Sequence, residues 1–240
     1  MLCNIDAKGL EVVAAAYLSQ DKVLVQEVRD KIDLHGDNQK RFGLPTRVIA
    51  KVFKFRLIYG GSAYSYSVDS DFAEVGFSQK RWQQVIDEYY DKYQGLATWH
   101  TQIVQEVTLT GRINLPTGRQ FDYQPFESPN GDIKWPRTTI LNYPVQGLGA
   151  DLVMLARISF RNRLRKLGLR ALLISTVHDS IVVDCPDKEV DIVCQLAHDV
   201  FRDIPANFQK MFGVEFNLPM TAEVLIGNNM GNMKEWNVKN

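Results

Sequence analysis

Two aspartates stand where a carboxylate can do chemistry. Asp6 closes the apolar run MLCNI, and Asp179 follows the apolar run LLISTV, between His178 and Ser180. A carboxylate at a strand end is exposed at a sheet rim while its backbone stays fixed. Two of them in one cleft repel, and a hard cation such as Mg²⁺ relieves that repulsion. Such a pair can hold two metal ions that activate a nucleophile and stabilise a leaving oxygen in phosphoryl transfer. Against this, an aspartate at a strand end is commonly a turn residue. A second set is Arg47, Lys51, Phe55 and Tyr59, which recur every four residues and share one face of a helix. The cations there would take phosphates, and the rings would pack against sugar and base. The bland alternative is a solvated basic stripe with two rings tucked into a core. No Gly-x4-Gly-Lys-Ser/Thr loop occurs in the sequence, so an ATPase has no support.

These residues need elements to hold them. A strand over 2–6 runs into a helical pattern over 10–18. Ala50, Phe53 and Leu57 form an apolar stripe on a helix that starts behind Pro45-Thr46, with Thr46 as N-cap, and ends at Gly60-Gly61. Ser78 caps the next helix with Phe77 stapled onto Trp82; Trp82, Ile86, Tyr89 and Tyr93 line its core face until Gly95. Residues 110–139, with four prolines and the turn Pro129-Asn130-Gly131, read as loop. A longer helix carries Val153, Ala156, Phe160, Leu164 and Leu167 on one side and stops at Gly168. ALLISTV-HDS-IVVDC reads as a hairpin with His178, Asp179 and Ser180 at its tip, and a last helix over 189–203 buries Val193, Ala197 and Phe201. Helices on a few short strands predict an α+β fold.

Composition excludes several classes. With 45% hydrophobic and 23% charged residues over 240 positions, the chain is no disordered tract. No apolar run reaches membrane-spanning length and no signal-like segment opens the chain, so the expectation is a soluble cytoplasmic protein. Cys3, Cys185 and Cys194 lack metal-ligand spacing and read as packed thiols. Net charge is zero, yet 38–68 and 152–177 each hold six basic residues and no acid, stretches that could meet phosphates.

Taken together, the residues resemble DNA polymerase family A, the group of bacterial polymerase I and several phage replicases. Asp6-Ala-Lys-Gly-Leu-Glu11 is similar to the family's first palm motif. Arg47-VIA-Lys51-VFK-Phe55-RLI-Tyr59-Gly60 resembles its fingers helix, with DLH35 ahead of it. Asn142-YPV-Gln146-GLGAD and His178-Asp179-Ser180 resemble the next two motifs, in the family's order across nearly the whole chain. The segment ahead of the helix looks most like phage members, which would place the protein in a host cytoplasm. The resemblance implies a palm of short antiparallel sheet and helices over 1–20 and 138–240, with a mainly helical fingers domain and connecting loops over 21–137. It implies template-directed DNA synthesis from dNTPs on primer-template DNA. Asp6, Asp179 and the Ala7 carbonyl would bind two Mg²⁺ ions, with Mn²⁺ an alternative. His35, Arg47 and Lys51 would grip the triphosphate, Lys51 doubling as general acid to the leaving pyrophosphate. Phe55 and Tyr59 would line the sugar and base pocket, and Glu11 would block a 2′-hydroxyl. Asn142, Gln146 and His178 would contact primer terminus and nascent pair, with Arg112 and Arg119 as further DNA-backbone contacts.

There are departures. Val13 stands where the family commonly has Arg, Lys54 and Arg56 replace Asn and Gly, and Ser180 replaces a third carboxylate. The family's thumb, and any 3′–5′ exonuclease, precede the first motif, and Met1 is only five residues before Asp6. The expectation is a fragment or split enzyme whose thumb, with or without an exonuclease, comes from a second polypeptide, and weak extension by the chain alone. Two other readings compete. A single-subunit RNA polymerase shares the aspartates and the cationic helix, but Glu11 and Phe55 oppose it. A non-catalytic DNA-binding remnant would have no physical reason to keep Asp6, Asp179, Arg47, Lys51 and Tyr59 together.

Overall fold

The computed structural model describes residues 1–237. In chain order the elements are β1 (Leu2–Ala7), α1 (Leu10–Ser19), α2 (Lys22–Arg29), α3 (Leu34–Phe42), α4 (Arg47–Ile58), α5 (Ala63–Val68), α6 (Gln79–Lys92) and α7 (Gln94–Thr110). Then come β2 (Arg112–Asn114), β3 (Gln120–Asp122), β4 (Phe126–Glu127), β5 (Ile133–Lys134) and α8 (Arg137–Lys166). The chain continues through β6 (Leu172–Val177), β7 (Ser180–Asp184), α9 (Val190–Arg202), α10 (Ile204–Phe212), β8 (Ala222–Gly227) and β9 (Lys234–Glu235). The fold is mixed helix and antiparallel sheet, and it divides into two units, Met1–Val13 with residues from Gly147 on, and Ala14–Gln146. The divisions fall inside α1 and α8.

The first unit holds a five-stranded antiparallel sheet in the order β6-β7-β1-β8-β9. Strict alternation along β1 buries Cys3, Ile5 and Ala7 on one face, which follows from the period-two geometry of a strand. Helix α9 packs on β1 and β8, burying Val193, Cys194, Ala197, Val200 and Phe201. At Gly149 of α8 a Cβ would come within 3.1 Å of the Leu10 side chain, so α8 and the start of α1 approach closely there. Two expectations are corrected here. Leu167 lies beyond the end of α8 and is 56% exposed, because Gly168 at φ +66° turns the chain away. The helix over 189–203 is not the last, since α10 follows directly from Asp203.

The second unit is built around α4, whose Phe53 touches the rings of Phe42, Tyr66, Trp82 and Tyr89 at 5.2–6.0 Å between centroids. Thr46 caps α4 through the Ile49 N–H, and Ser78 caps α6 through the Arg81 N–H. Phe77 lies against Trp82 as a staple, ring centroids 5.2 Å apart. Gly95 is no helix stop, because α7 starts at Gln94 and runs to Thr110. Asp21, 2% exposed, accepts the Leu24 N–H through Oδ1 and the Gly95 and Leu96 N–H groups through Oδ2. It so satisfies backbone donors at the starts of α2 and α7 together. The segment read as loop carries two small hairpins, β2–β3 and β4–β5, the second closing over Pro129-Asn130-Gly131. Helix α8 starts at Arg137, ahead of the motif containing Pro144, and continues through that proline.

Candidate active site

In the first unit the β1–β7 register sets Asp6 directly opposite Ser180, and the Ala7 N–H donates to the Asp179 carbonyl at 3.2 Å. Asp6 and Asp179 therefore stand at the same end of neighbouring strands, each half-buried. The turn between β6 and β7 is His178-Asp179 alone; Ser180 already belongs to β7, and its hydroxyl donates to the Val177 carbonyl at 3.0 Å. His178 is exposed and adopts φ +53°, a left-handed conformation that a side chain adopts only at a cost. Glu11 lies in the first turn of α1, half-buried. On the other side of β1, Glu223 of β8 is the register partner of Asp6, and the Lys8 ammonium lies 3.7 Å from its carboxylate.

In the second unit α4 presents its four-residue stripe as a gradient. Arg47 and Lys51 are exposed, while Phe55 and Tyr59 are half-buried against the helix's core side. The Lys51 ammonium lies 5.6 Å from the centre of the Phe55 ring, a cation–π distance. The His35 ring rests on Phe55, centroids 5.9 Å apart, and its buried Nδ1 has no hydrogen-bond partner. Burial, and then the charges of Lys54, Arg47 and Lys51, push the His35 pKa down to about 4, so the imidazole is neutral at pH 7. Arg47 pairs with Asp33, whose carboxyl this contact, with the N–H groups of Gly36 and His35, holds down at about 2. Gly60 ends the helix region at φ +83°, where a Cβ would come within 2.7 Å of the Leu141 side chain.

Tyr59 and Gln146 meet, the Gln146 side-chain amide donating to the Tyr59 hydroxyl. Asn142 is half-buried one turn earlier on α8. The two arginines differ from the rest. The Arg112 guanidinium is matched by Asp122 at 2.9 Å across the β2–β3 hairpin, and Arg119 is exposed in the turn that joins those strands.

Residues 1–232 match the family described as DNA polymerase family A. This chain belongs to that family. Among family A relatives, DNA polymerase I of Treponema pallidum is 29% identical over 243 residues, covering 96% of this chain and 23% of the relative. The thermostable DNA polymerase I of Thermus aquaticus is 26% identical, covering 98% of this chain and 27% of its own length. The chain thus spans about a quarter of the length of these curated relatives. The POL domain of Pol1 from M. smegmatis, in complex with DNA primer-template and dNTP, shares the fold at a TM-score of 0.75 and 22% identity, over 93% of this chain and 38% of that one.

In this family A chain the donors for a divalent cation would be the Asp6 and Asp179 carboxylates. No group of three or more His, Cys, Asp or Glu that could hold a metal occurs among the described residues. Two carboxylates nevertheless fit Mg²⁺, which keeps water ligands and takes further oxygens from substrate phosphates. The sequence missed Glu223 and Asp33. Glu223 reaches its place beside Asp6 only through strand pairing, which no local pattern records. Asp33 lies two residues before His35 in sequence, and its partner Arg47 follows fourteen residues later. No helix of the described residues is long and apolar enough to cross a membrane.

Proposed function

We propose that the chain performs template-directed 5′–3′ DNA synthesis, transferring a nucleotidyl group from a dNTP to a primer 3′-hydroxyl. The observation that carries this is the pairing of β1 with β7, which sets Asp6 and Asp179 at one strand end in a family A chain. Magnesium held by Asp6, Asp179 and the Ala7 carbonyl would supply the charge that activates the 3′-hydroxyl and steadies the leaving oxygen. The chain's own residues bind and orient. Arg47 and Lys51 neutralise the triphosphate, and neutral His35 donates or accepts a hydrogen bond through its unsatisfied ring nitrogen. Phe55 and Tyr59 offer flat surfaces to sugar and base, and Tyr59 is held by Gln146. Glu11 closes the space that a 2′-hydroxyl would need. Lys51 is the proton donor to the departing pyrophosphate.

Magnesium-dependent primer extension, with the chain alone and with a thumb-bearing polypeptide added, tests the reading. Asp179→Ala should abolish extension, by roughly a thousandfold or more for a group that acts at the reacting centre, while leaving primer-template binding intact. Primer-template binding without extension by either the unaltered chain or the variant would favour a DNA-binding remnant, equal extension by both would remove Asp179 from the reacting centre, and a preference for rNTPs over dNTPs would favour an RNA polymerase.

A further inference from the structure

Arg47 opens α4, and its guanidinium is held from the side. Nε lies 3.2 and 3.1 Å from the two carboxylate oxygens of Asp33, and Nη2 lies 2.9 Å from Oδ1. An arginine has five N–H donors in a fixed fork, so this contact occupies one edge and leaves the other donors for a second anion. Asp33 is seated in turn. Its carboxylate lies over the first turn of α3, so close to Gly36 that a Cβ there would fall 2.6 Å from Oδ2. Glycine at this position is what makes room for the carboxylate. The pair is more than half exposed at both ends, 59% and 56%, and such pairs add little to folding stability. Its effect is orientation. A long arginine side chain ordered before its ligand arrives loses less freedom on binding, which tightens the complex without any new contact.

We propose that Asp33 is a positioning residue for the nucleotide site: it pins one edge of Arg47 so that the remaining donors are ordered in advance for a phosphate of the incoming dNTP. This rests on the proposed function, in which Arg47 takes the triphosphate. The opposite role, a carboxylate that competes with phosphate for Arg47, predicts the reverse sign. It is disfavoured because the contact leaves donors unused.

The test is equilibrium binding of a fluorescent dATP (mant-dATP) with Mg²⁺ to the full chain. Asp33→Asn removes the charge. Gly36→Ala keeps it and displaces the carboxylate, and alanine suits a helix, so folding is retained. Both should weaken binding by about tenfold, the scale of one charge-assisted contact, with little change in thermal midpoint. In an Arg47→Ala background Asp33→Asn should add nothing, the coupling that separates positioning from general damage. Binding that is unchanged or tighter in Asp33→Asn overturns the inference alone, provided Arg47→Ala weakens binding. If Arg47→Ala has no effect, or the unaltered chain binds no mant-dATP, the proposed function falls and this inference with it.

Discussion

At the scale of single residues, Phe55 is the position whose chemistry is most exposed to test. Its ring is fixed by His35 on one side and by the Lys51 ammonium, so it offers a surface and no hydroxyl. In the proposed site a normal dNTP brings a 3′-hydroxyl that a dideoxynucleotide lacks, and a phenyl ring cannot supply the missing polar partner. Phe55→Tyr adds one hydroxyl at the ring edge while keeping the shape. A buried polar group left unpaired costs ~1–3 kcal/mol, so the substitution should improve the use of dideoxynucleotides relative to dNTPs by roughly tenfold to a hundredfold. Competition between ddNTP and dNTP in a primer-extension ladder measures the ratio, and an unchanged ratio would remove Phe55 from the sugar pocket. His35 carries a related signature, a buried ring nitrogen with no partner, which is a polar cost the fold bears unless a ligand meets it.

Elements differ in how openly the sequence declared them. Helix α4 was legible because cap, apolar stripe and glycine stop agree with one another at Thr46, Ala50–Phe53–Leu57 and Gly60. The β6–β7 hairpin was legible because two apolar runs flank a polar turn, although Ser180 proved to belong to the strand. Helix α7 was hidden because Gly95 looks like a terminator. It is a glycine for another reason: a Cβ would come within 2.7 Å of the Asp21 backbone, a long-range approach that no local pattern can reveal. The hairpins of β2 to β5 were hidden because strands of two or three residues have no period to read. The same distance in sequence hid the pairing of Glu223 with Asp6. Asp21 makes the point energetically. Replacing it by alanine strands three backbone N–H groups at two helix starts. Losing a cap costs ~1 kcal/mol and a stranded buried donor ~1–3, so Asp21→Ala should lower unfolding stability by roughly 2–4 kcal/mol in urea titrations. A change under half a kcal/mol would mean water replaces the carboxylate at little cost.

Over the whole molecule, equal numbers of acidic and basic side chains, 28 and 28, leave the histidines to set the behaviour between neutral and mildly acid pH. Burial lowers the pKa of His35, His100 and His198 from 6.5, to about 4 for the first two. His100 is 1% exposed, meets the Tyr90 hydroxyl at Nδ1 over 3.1 Å, and lies near Arg137, whose charge opposes protonation after burial itself. The unfolded chain binds a proton at each of these sites near pH 6.5; in the folded chain His35 and His100 resist doing so until about 4, and His198 is shifted in the same direction. Unfolding stability is therefore fully present above pH 6.5, falls as pH drops through that window, and stops falling from this cause near pH 4. Asp33, Asp69 and Asp203 are held below 3.8, so their losses come at lower pH and do not confuse the window. For fully buried His100 alone, the shift corresponds to about 2 kcal/mol lost between pH 7 and pH 5, with His35 and His198 adding in the same direction. Urea unfolding at the two pH values should show that fall, and His100→Asn, which cannot take up the proton, should shrink it by about 2 kcal/mol whatever its effect at pH 7. A variant whose stability keeps the full pH slope would place the titrating group elsewhere and assign His100 a charge that its buried contact with Tyr90 cannot accommodate.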